Sequence, residues 1–512
     1  MADSILKETP APPADRWIFA GLLGLLIWAP LPLGSNRAWA WSLLELWAYA
    51  LGAGWLLLYL LRRVETTHVF RKARVWFWLF AGWLWLQLFQ LIPLPPTLLG
   101  WLSPRALELY TLAHVGADPG WLPLSVDRFA GVDFLLKSLA YLVVFALTLL
   151  LLRTPQRIRV TLAVVVLGGV FQAIYGGMEA LQTLEVARGT FVNRNHLAGW
   201  LEISLGLGLG LLMGGLQERE AVTWRARLRN LFQWMLSSKM QLRVLLALMV
   251  VGLVLTRSRM GNAAFFSSLL IAGAVWLLAR RKQSMRSAMI VLASILVIDI
   301  YILGHLFGLQ EVVERLKETS PATENRDEVD RDTLFYLQNY PLFGSGGGTF
   351  YSNYPQFRGD DVGGTYLLYA HNDYLQVAVE TGIPGLLLCA ALVLLSLREA
   401  LRAIFKRHRP LLRGLGFGSL MGISAILLHS TVDFNLQIPA NALLFTLLLA
   451  TAWVAAHLPE RRDPRPPRMT AAGDPLCWRE VTPEELTQHP QEEEDAWQQW
   501  VNNLHQNERK PP

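Results

Sequence analysis

The chain has 512 residues, of which 53% are hydrophobic and only 17% charged, with a formal net charge of +6. Apolar runs of roughly twenty residues recur along it, the length at which a helix spans the hydrocarbon core of a bilayer. A soluble globular domain is excluded. So is a disulfide scaffold, because the two cysteines are Cys389, inside an apolar run, and Cys477, in a polar tail.

The N-terminal "MADSILKETPAPPADRW" has acids and prolines where a signal peptide has a basic region, and no small-residue cleavage site follows, so the first span is expected to stay. In chain order the apolar pattern predicts about twelve spans, near 17–33, 39–61, 75–93, 134–152, 158–181, 197–216, 241–256, 262–279, 287–307, 378–397, 414–431 and 438–457. Trp28, Trp39, Trp41, Trp76, Trp78, Trp101 and Trp121 fall at or near their ends, where amphipathic rings anchor in headgroups. Residues 1–457 thus read as a transmembrane domain. From 458 to 512, "ERRDPRPPR" and the acidic stretch after it predict a mobile cytoplasmic tail with one short polar helix.

Alternate connections collect the cations: Arg62, Arg63, Arg71, Lys72 and Arg74, then Arg153, Arg157 and Arg159, then later groups from Arg219 to Arg243, Arg280 to Arg286 and Arg398 to Arg413. The positive-inside rule puts that set, and both termini, in the cytoplasm. The opposite connections carry four polar clusters, "RGTFVNRNHLAGW" (188–200), "TRSRMGN" (256–262), a long segment from about 308 to 377, and "HSTVDFNLQIP" (429–439). Clusters distant in sequence that open to one face predict a site on the external side.

A lone arginine at a span end commonly snorkels to lipid phosphate. Arg257 and Arg259, two in three residues at a mouth where the topology disfavours cations, suit an anionic ligand whose oxygens guanidinium groups can chelate. "ATENRDEVDRDTLFYLQNYPLFGSGGGTF" predicts a helix over about 325–339, with Val329, Leu334, Phe335 and Leu337 as its apolar side and Pro341 beyond its end. Arg326 at its start is either a surface charge or a third phosphate ligand. The glycines at 344, 346, 347 and 348 lack the Gly-Lys-Ser/Thr ending of a nucleotide loop and fit a sharp bend. His371, Asn372 and Asp373 stand before the tenth span, with Glu380 about two turns further in. A histidine at such a mouth is commonly an interface residue, but beside carboxylates and arginines it suits proton transfer. The first outer loop, "LGSN", has no acid and no His-x-x-x-His pair occurs, so no metal is expected.

The order "TRSRMGN", "ENRDEVDRDTLFYLQNYPLFGSGGGTF", "HNDYLQVAVETGIPGLLL" and "HSTVDFNLQIPANALL", with "FVNRNHLAGWLEI" upstream, resembles the O-antigen ligase and polymerase superfamily of bacterial envelope glycan assembly over about 185–455. The resemblance implies an all-α polytopic membrane protein with a large periplasmic loop between spans nine and ten, similar to metal-independent GT-C enzymes. It implies transfer of a glycan from undecaprenyl diphosphate, with inversion, to a hydroxyl of a glycan, lipid A core or protein at the outer face of the inner membrane. Arg259 and Arg326 would hold the diphosphate, while Arg257 is an addition to the usual small-residue pattern. His371 would be the main catalytic residue, oriented by Asp373, with Asn195, Asn372, Glu380, His429 and Asp433 as further candidates. The donor is already activated, so no cofactor, nucleotide or nucleic acid is implied. The competing reading is a small-anion, bicarbonate-type transporter, which would use ionisable residues deep in spans, such as Glu179 and Asp299.

Overall fold

A computed structural model describes residues 14–113, 120–183, 185–215, 238–279, 326–359 and 366–460. The chain divides into units Met1–Leu458 and Pro459–Pro512, and all the helices below belong to the first. In order they are α1 (Arg16–Trp28), α2 (Ala38–Leu60), α3 (His68–Lys72), α4 (Arg74–Leu91), α5 (Pro96–Leu102), α6 (Pro104–Ala113), α7 (Arg128–Leu151) and α8 (Pro155–Thr183), followed by α9 (Arg194–Gly214), α10 (Ser238–Leu255), α11 (Arg259–Ala279), α12 (Arg326–Asn339), α13 (Phe350–Asn353), α14 (Asp373–Lys406), α15 (Pro410–His429) and α16 (Pro439–His457). Among the described residues the extended structure is one isolated bridge, Leu94 with Leu122. Eight helices, α2, α7, α8, α9, α11, α14, α15 and α16, are long and apolar enough to cross a membrane. The protein is an all-α polytopic membrane protein. The expected spans near 17–33, 75–93 and 241–256 fall on α1, α4 and α10, which are not among those eight, and the one at 287–307 lies outside the described residues, as does the tail beyond 460.

The centre of the bundle is built on glycine. Lipid is as apolar as leucine, so hydrophobicity does not join helices within a bilayer, and close backbone approach takes its place. Gly206, Gly210 and Gly214 recur at four-residue spacing on α9 and face Gly414, Gly418 and Gly422 on α15. A Cβ on Gly210 would stand 2.4 Å from the Gly414 carbonyl oxygen, and one on Gly414 2.2 Å from that of Gly210. α16 packs against α7, α9, α14 and α15 and is buried along its length.

α14 is two helical pieces joined at a kink. Gly382 has φ +69° and ψ −179°, a region open only to glycine, and Pro384 follows it. The kink receives the chain after α12: Ile383 N–H donates to Pro341 O at 3.0 Å, and a Cβ on Gly382 would stand 2.3 Å from Leu342 O. The "TGIPG" break is therefore a docking point for the loop that the same sequence predicts.

That loop forms a cap with a partner the sequence analysis left unassigned. α5, α6 and residues 120–126 pack with α12 and residues 340–357 around Leu99, Leu122, Tyr336, Phe350, Tyr354 and Phe357. Tyr336 stacks on Phe357 with ring centroids 4.6 Å apart, and Phe350 on Tyr354 at 4.7 Å. The buried face of α12 carries Val329, Asp332, Thr333 and Tyr336, whereas Leu334 and Phe335, expected inside, are exposed. The apolar cap core is aromatic and hydroxylic, so a count of aliphatic residues picks the wrong face. At the opposite end of the bundle, Asp15 is buried against Arg157 at 2.7 Å and Arg153 at 2.9 Å, tying the start of α1 to the α7–α8 turn.

Gly210→Leu is expected to destabilise the bundle by at least about 1–3 kcal/mol, the cost of overpacking a tight contact, measured as a lower melting temperature in detergent. Gly168→Ala, whose Cβ would come no nearer than 4.0 Å to Trp200, is the control expected not to lower it.

Candidate active site

The capped end of the bundle gathers the starts of α9, α11 and α14 and the turn between α15 and α16. At α14, Asn372 is the N-cap: its Oδ1 accepts the N–H groups of Tyr374 at 3.1 Å and Leu375 at 3.2 Å. Its Nδ2 lies 3.5 Å from Asp330 on α12. Burial pushes the Asp330 carboxyl up, an effect opposed by this contact. One residue earlier, His371 has φ +56°, a left-handed conformation uncommon outside glycine.

Asp373 is buried and acts as a clamp. Its Oδ2 accepts from Ser430 Oγ at 2.7 Å and from Leu436 N–H at 3.1 Å, and its Oδ1 from Gln437 Nε2 at 3.1 Å. Its own N–H donates to Ser430 O at 3.0 Å. The turn 430–437 is thereby sewn to the head of α14. Phe434, at the centre of that turn, stacks on Tyr369 with centroids 4.6 Å apart and receives the edges of His371 and His196, each at 4.7 Å. Burial pushes the Tyr369 phenol up to about 12, and the Glu380 carboxylate adds to this.

Asp433 closes the cluster. Asn195 Nδ2 on α9 donates to its Oδ2, and His196 Nε2 lies 3.6 Å from its Oδ1. Burial alone would raise this carboxyl, but the His196 interaction and the His196 and His429 charges together hold it below the usual carboxylate range. Arg326 reaches the same turn, with Nη1 donating to Val432 O at 2.8 Å.

Arg257 and Arg259 are exposed residues of the α10–α11 turn. Arg257 has φ +51°, held by its N–H donating to Val254 O at 2.9 Å. Thr256 Oγ1 accepts Ser258 N–H, and Ser258 Oγ accepts Gly261 N–H, opening α11 at Arg259. A Cβ on Gly261 would stand 2.7 Å from Ala198 Cβ, so this turn abuts the first turns of α9, where Asn195 and His196 lie.

Two expected candidates sit deeper. Glu380 is buried, and its Oε1 accepts Phe350 N–H at 3.2 Å and Gln376 Nε2 at 2.6 Å, while its carbonyl accepts Gly346 N–H. It anchors the glycine-rich bend, in which a Cβ on Gly344, at φ +68°, would stand 2.3 Å from the Glu380 carbonyl carbon. His429 is buried at the end of α15, paired with Glu202. Beside the site a cavity of about 610 Å³ opens between α2, α4, α7, α14 and α16, lined by Trp41, Trp83, Lys137, Asp373, Glu380 and Phe445 among others. Among the described residues no three of His, Cys, Asp and Glu stand close enough to share a metal ion.

Of the transporter's carboxylates, Glu179 lies in the last turns of α8 and its Oε2 accepts Arg188 N–H at 3.0 Å and Gly189 N–H at 3.1 Å, a loop anchor; Asp299 lies outside the described residues. His196 and Phe434 are site residues that the sequence pattern does not single out. His196 adjoins Asn195 in the same polar cluster and was within reach; Phe434 showed nothing but one more aromatic.

Residues 244–390 match the model of the O-antigen ligase family. The match takes in Arg257, Arg259, Arg326, His371 and Asp373, and ends before His429 and Asp433. No curated protein matches the chain.

Phe434→Ala is expected to cost about 3–5 kcal/mol and to abolish activity, because three site rings lose their common support. Phe434→Leu, which keeps most of the volume, should retain more of both; paired melting and turnover measurements compare the two.

Proposed function

We propose that the chain, whose residues 244–390 match the O-antigen ligase family, transfers a glycan from undecaprenyl diphosphate to an acceptor hydroxyl, with inversion and without a metal. The observation that carries this reading is the meeting, at one end of the bundle, of Arg257 and Arg259 beside the start of α9, Arg326 on the 432 turn, and His371 on the Phe434 ring. Cations and a proton acceptor are what the reaction demands.

The acceptor oxygen attacks the anomeric carbon, the bond from that carbon to the diphosphate oxygen breaks, and its electron pair leaves with the diphosphate. Charge develops on phosphate oxygens, so cationic stabilisation serves better than a general acid. Arg259 and Arg326 supply it, with Arg257 beside them. The hydroxyl proton passes to His371. Asp433, kept anionic, supports the histidines that share Phe434. The adjoining cavity has apolar walls for a lipid chain and polar groups toward the site, in keeping with a lipid-linked substrate. The cation-poor connections at this end support a periplasmic site, with both termini in the cytoplasm of a bacterial inner membrane.

With purified protein and a lipid diphosphate donor, Arg259→Ala and His371→Ala are each expected to lower turnover about a hundredfold or more. Wild-type turnover in both variants would refute the assignment. Single cysteines near 259 and 371 should react with an impermeant reagent added outside; labelling from the cytosol alone would refute the orientation.

A further inference from the structure

α7 carries an arginine that the proposed reaction does not use. Arg128 is the first residue of that helix and is exposed, and its side chain makes no hydrogen bond or ion pair among the described residues. The acid beside it is engaged elsewhere: Asp127 is the N-cap, its Oδ1 accepting Ala130 N–H at 3.1 Å. Arg128, Phe129 and Asp133 line a hollow of about 660 Å³. That hollow shares Ala130 and Asp133 with the cavity of about 610 Å³ beside the site, so the two adjoin. At the seam Lys137 is ion-paired with Asp133 at 3.1 Å and stands 3.9 Å over the Trp41 ring. Beyond the seam the walls are largely apolar, with Phe80, Trp83, Leu386 and Phe445 among them. A cation at the mouth, a polar seam and an apolar interior thus follow one another along α7.

The cavity reaches the site on the side of the proton acceptor. Tyr369 and Asp373, two residues before and two after His371, both line it, and Tyr369 stacks on the Phe434 ring that His371 meets edge-on. The donor's cations are elsewhere: α9, α10, α11 and α12, which carry or adjoin Arg257, Arg259 and Arg326, contribute no residue to its walls. In a displacement at the anomeric carbon the entering oxygen arrives opposite the leaving diphosphate, so donor and acceptor need separate approaches. The cavity lies among α2, α7, α14 and α16, helices long and apolar enough to cross a membrane. A polypeptide drawn to that depth would bring unsatisfied backbone groups with it, whereas a lipid chain brings none.

We infer that this hollow and cavity are the acceptor's site and that the acceptor is itself a lipid bearing phosphate, which meets Arg128 at the mouth while the chain lies in the cavity. The inference rests on the glycosyl-transfer reading and narrows it, setting aside a protein acceptor. A guanidinium suits phosphate oxygens and keeps its charge at any working pH. Two acceptors carry this chemistry, a lipid A core and a second undecaprenyl diphosphate glycan.

The test uses full-length protein in lipid nanodiscs and a fluorescent undecaprenyl diphosphate glycan whose own acceptor hydroxyl is blocked, so that it serves as donor alone. A lipid A core and an unlabelled undecaprenyl diphosphate glycan are offered in separate arms, and the arm that takes up label identifies the acceptor. For that acceptor Arg128→Gln is expected to raise KM about tenfold, the loss of one charge-assisted contact, with the donor KM within about twofold of wild type. Ala390→Phe, which fills the cavity from α14, should raise the acceptor KM by a similar factor. If it fails to fold, Arg128→Gln carries the test, because an exposed side chain without partners supports no contact of the fold. An acceptor KM that stays in place, a donor KM that rises instead, or label that passes to a protein in preference to either lipid overturns the inference and leaves the proposed function standing. Wild-type protein that transfers label to no acceptor overturns both.

Discussion

The backbone contact between α9 and α15 is the constraint from which the rest of the site follows. Side chains of any size on Gly206, Gly210, Gly414 or Gly418 would part the two helices. Their closeness brings the first turn of α9 to the turn that leaves α15, so Asn195 and His196 meet Asp433, and Glu202 meets His429. Glycine helices are weak on their own, because each glycine raises the entropic cost of ordering the backbone. Here tertiary packing outweighs that cost: both helices are almost wholly buried among α8, α10, α11 and α16. The rigidity of the site comes from residues that carry no chemistry.

On that frame, two of the candidate site residues are strained, as are Leu33, Ser35 and Arg62 elsewhere among the described residues. Arg257 and His371 both hold left-handed backbone conformations without being glycine, and each stands immediately beside a helix start. Such conformations cost of order 1–3 kcal/mol and persist only where the surroundings impose them. At 257 the Thr256 and Ser258 hydroxyls and the Val254 carbonyl do so; at 371 the Asn372 cap and the Asp373 clamp do. Arg257 is exposed and His371 packs onto Phe434.

Much of this was legible in the sequence, for identifiable reasons. Spans are written as runs of apolar residues, and the loop helix, observed at Arg326–Asn339, begins and ends close to where its pattern does. The polar clusters were found because polarity at a span mouth stands out against its surroundings. What stayed hidden is what depends on contacts between distant segments. Nothing local marks α5 and α6 as half of the cap, since their partners lie more than two hundred residues away. The face of α12 was misjudged because Tyr336, Thr333 and Asp332 are buried through hydroxyl and carboxylate hydrogen bonds that a hydropathy pattern does not see. Glu202 sits in an apolar run where only its partner, 227 positions on, explains it.

Hydrogen-bond saturation separates the acids that hold this structure from those that can answer to a substrate. Asp373 accepts from three donors on its two oxygens, and Glu380 accepts from two on Oε1 alone. A carboxylate so engaged has its oxygens committed to partners in the fold. Both are spent on the scaffold, Asp373 on the 430–437 turn and Glu380 on the glycine-rich bend. Asp433 differs: its partners are an amide on α9, its neighbour's N–H and two histidines, so its charge is tied to groups that themselves titrate. Under the proposed reaction, proton transfer falls to His371 on the Phe434 ring and charge stabilisation to the arginines.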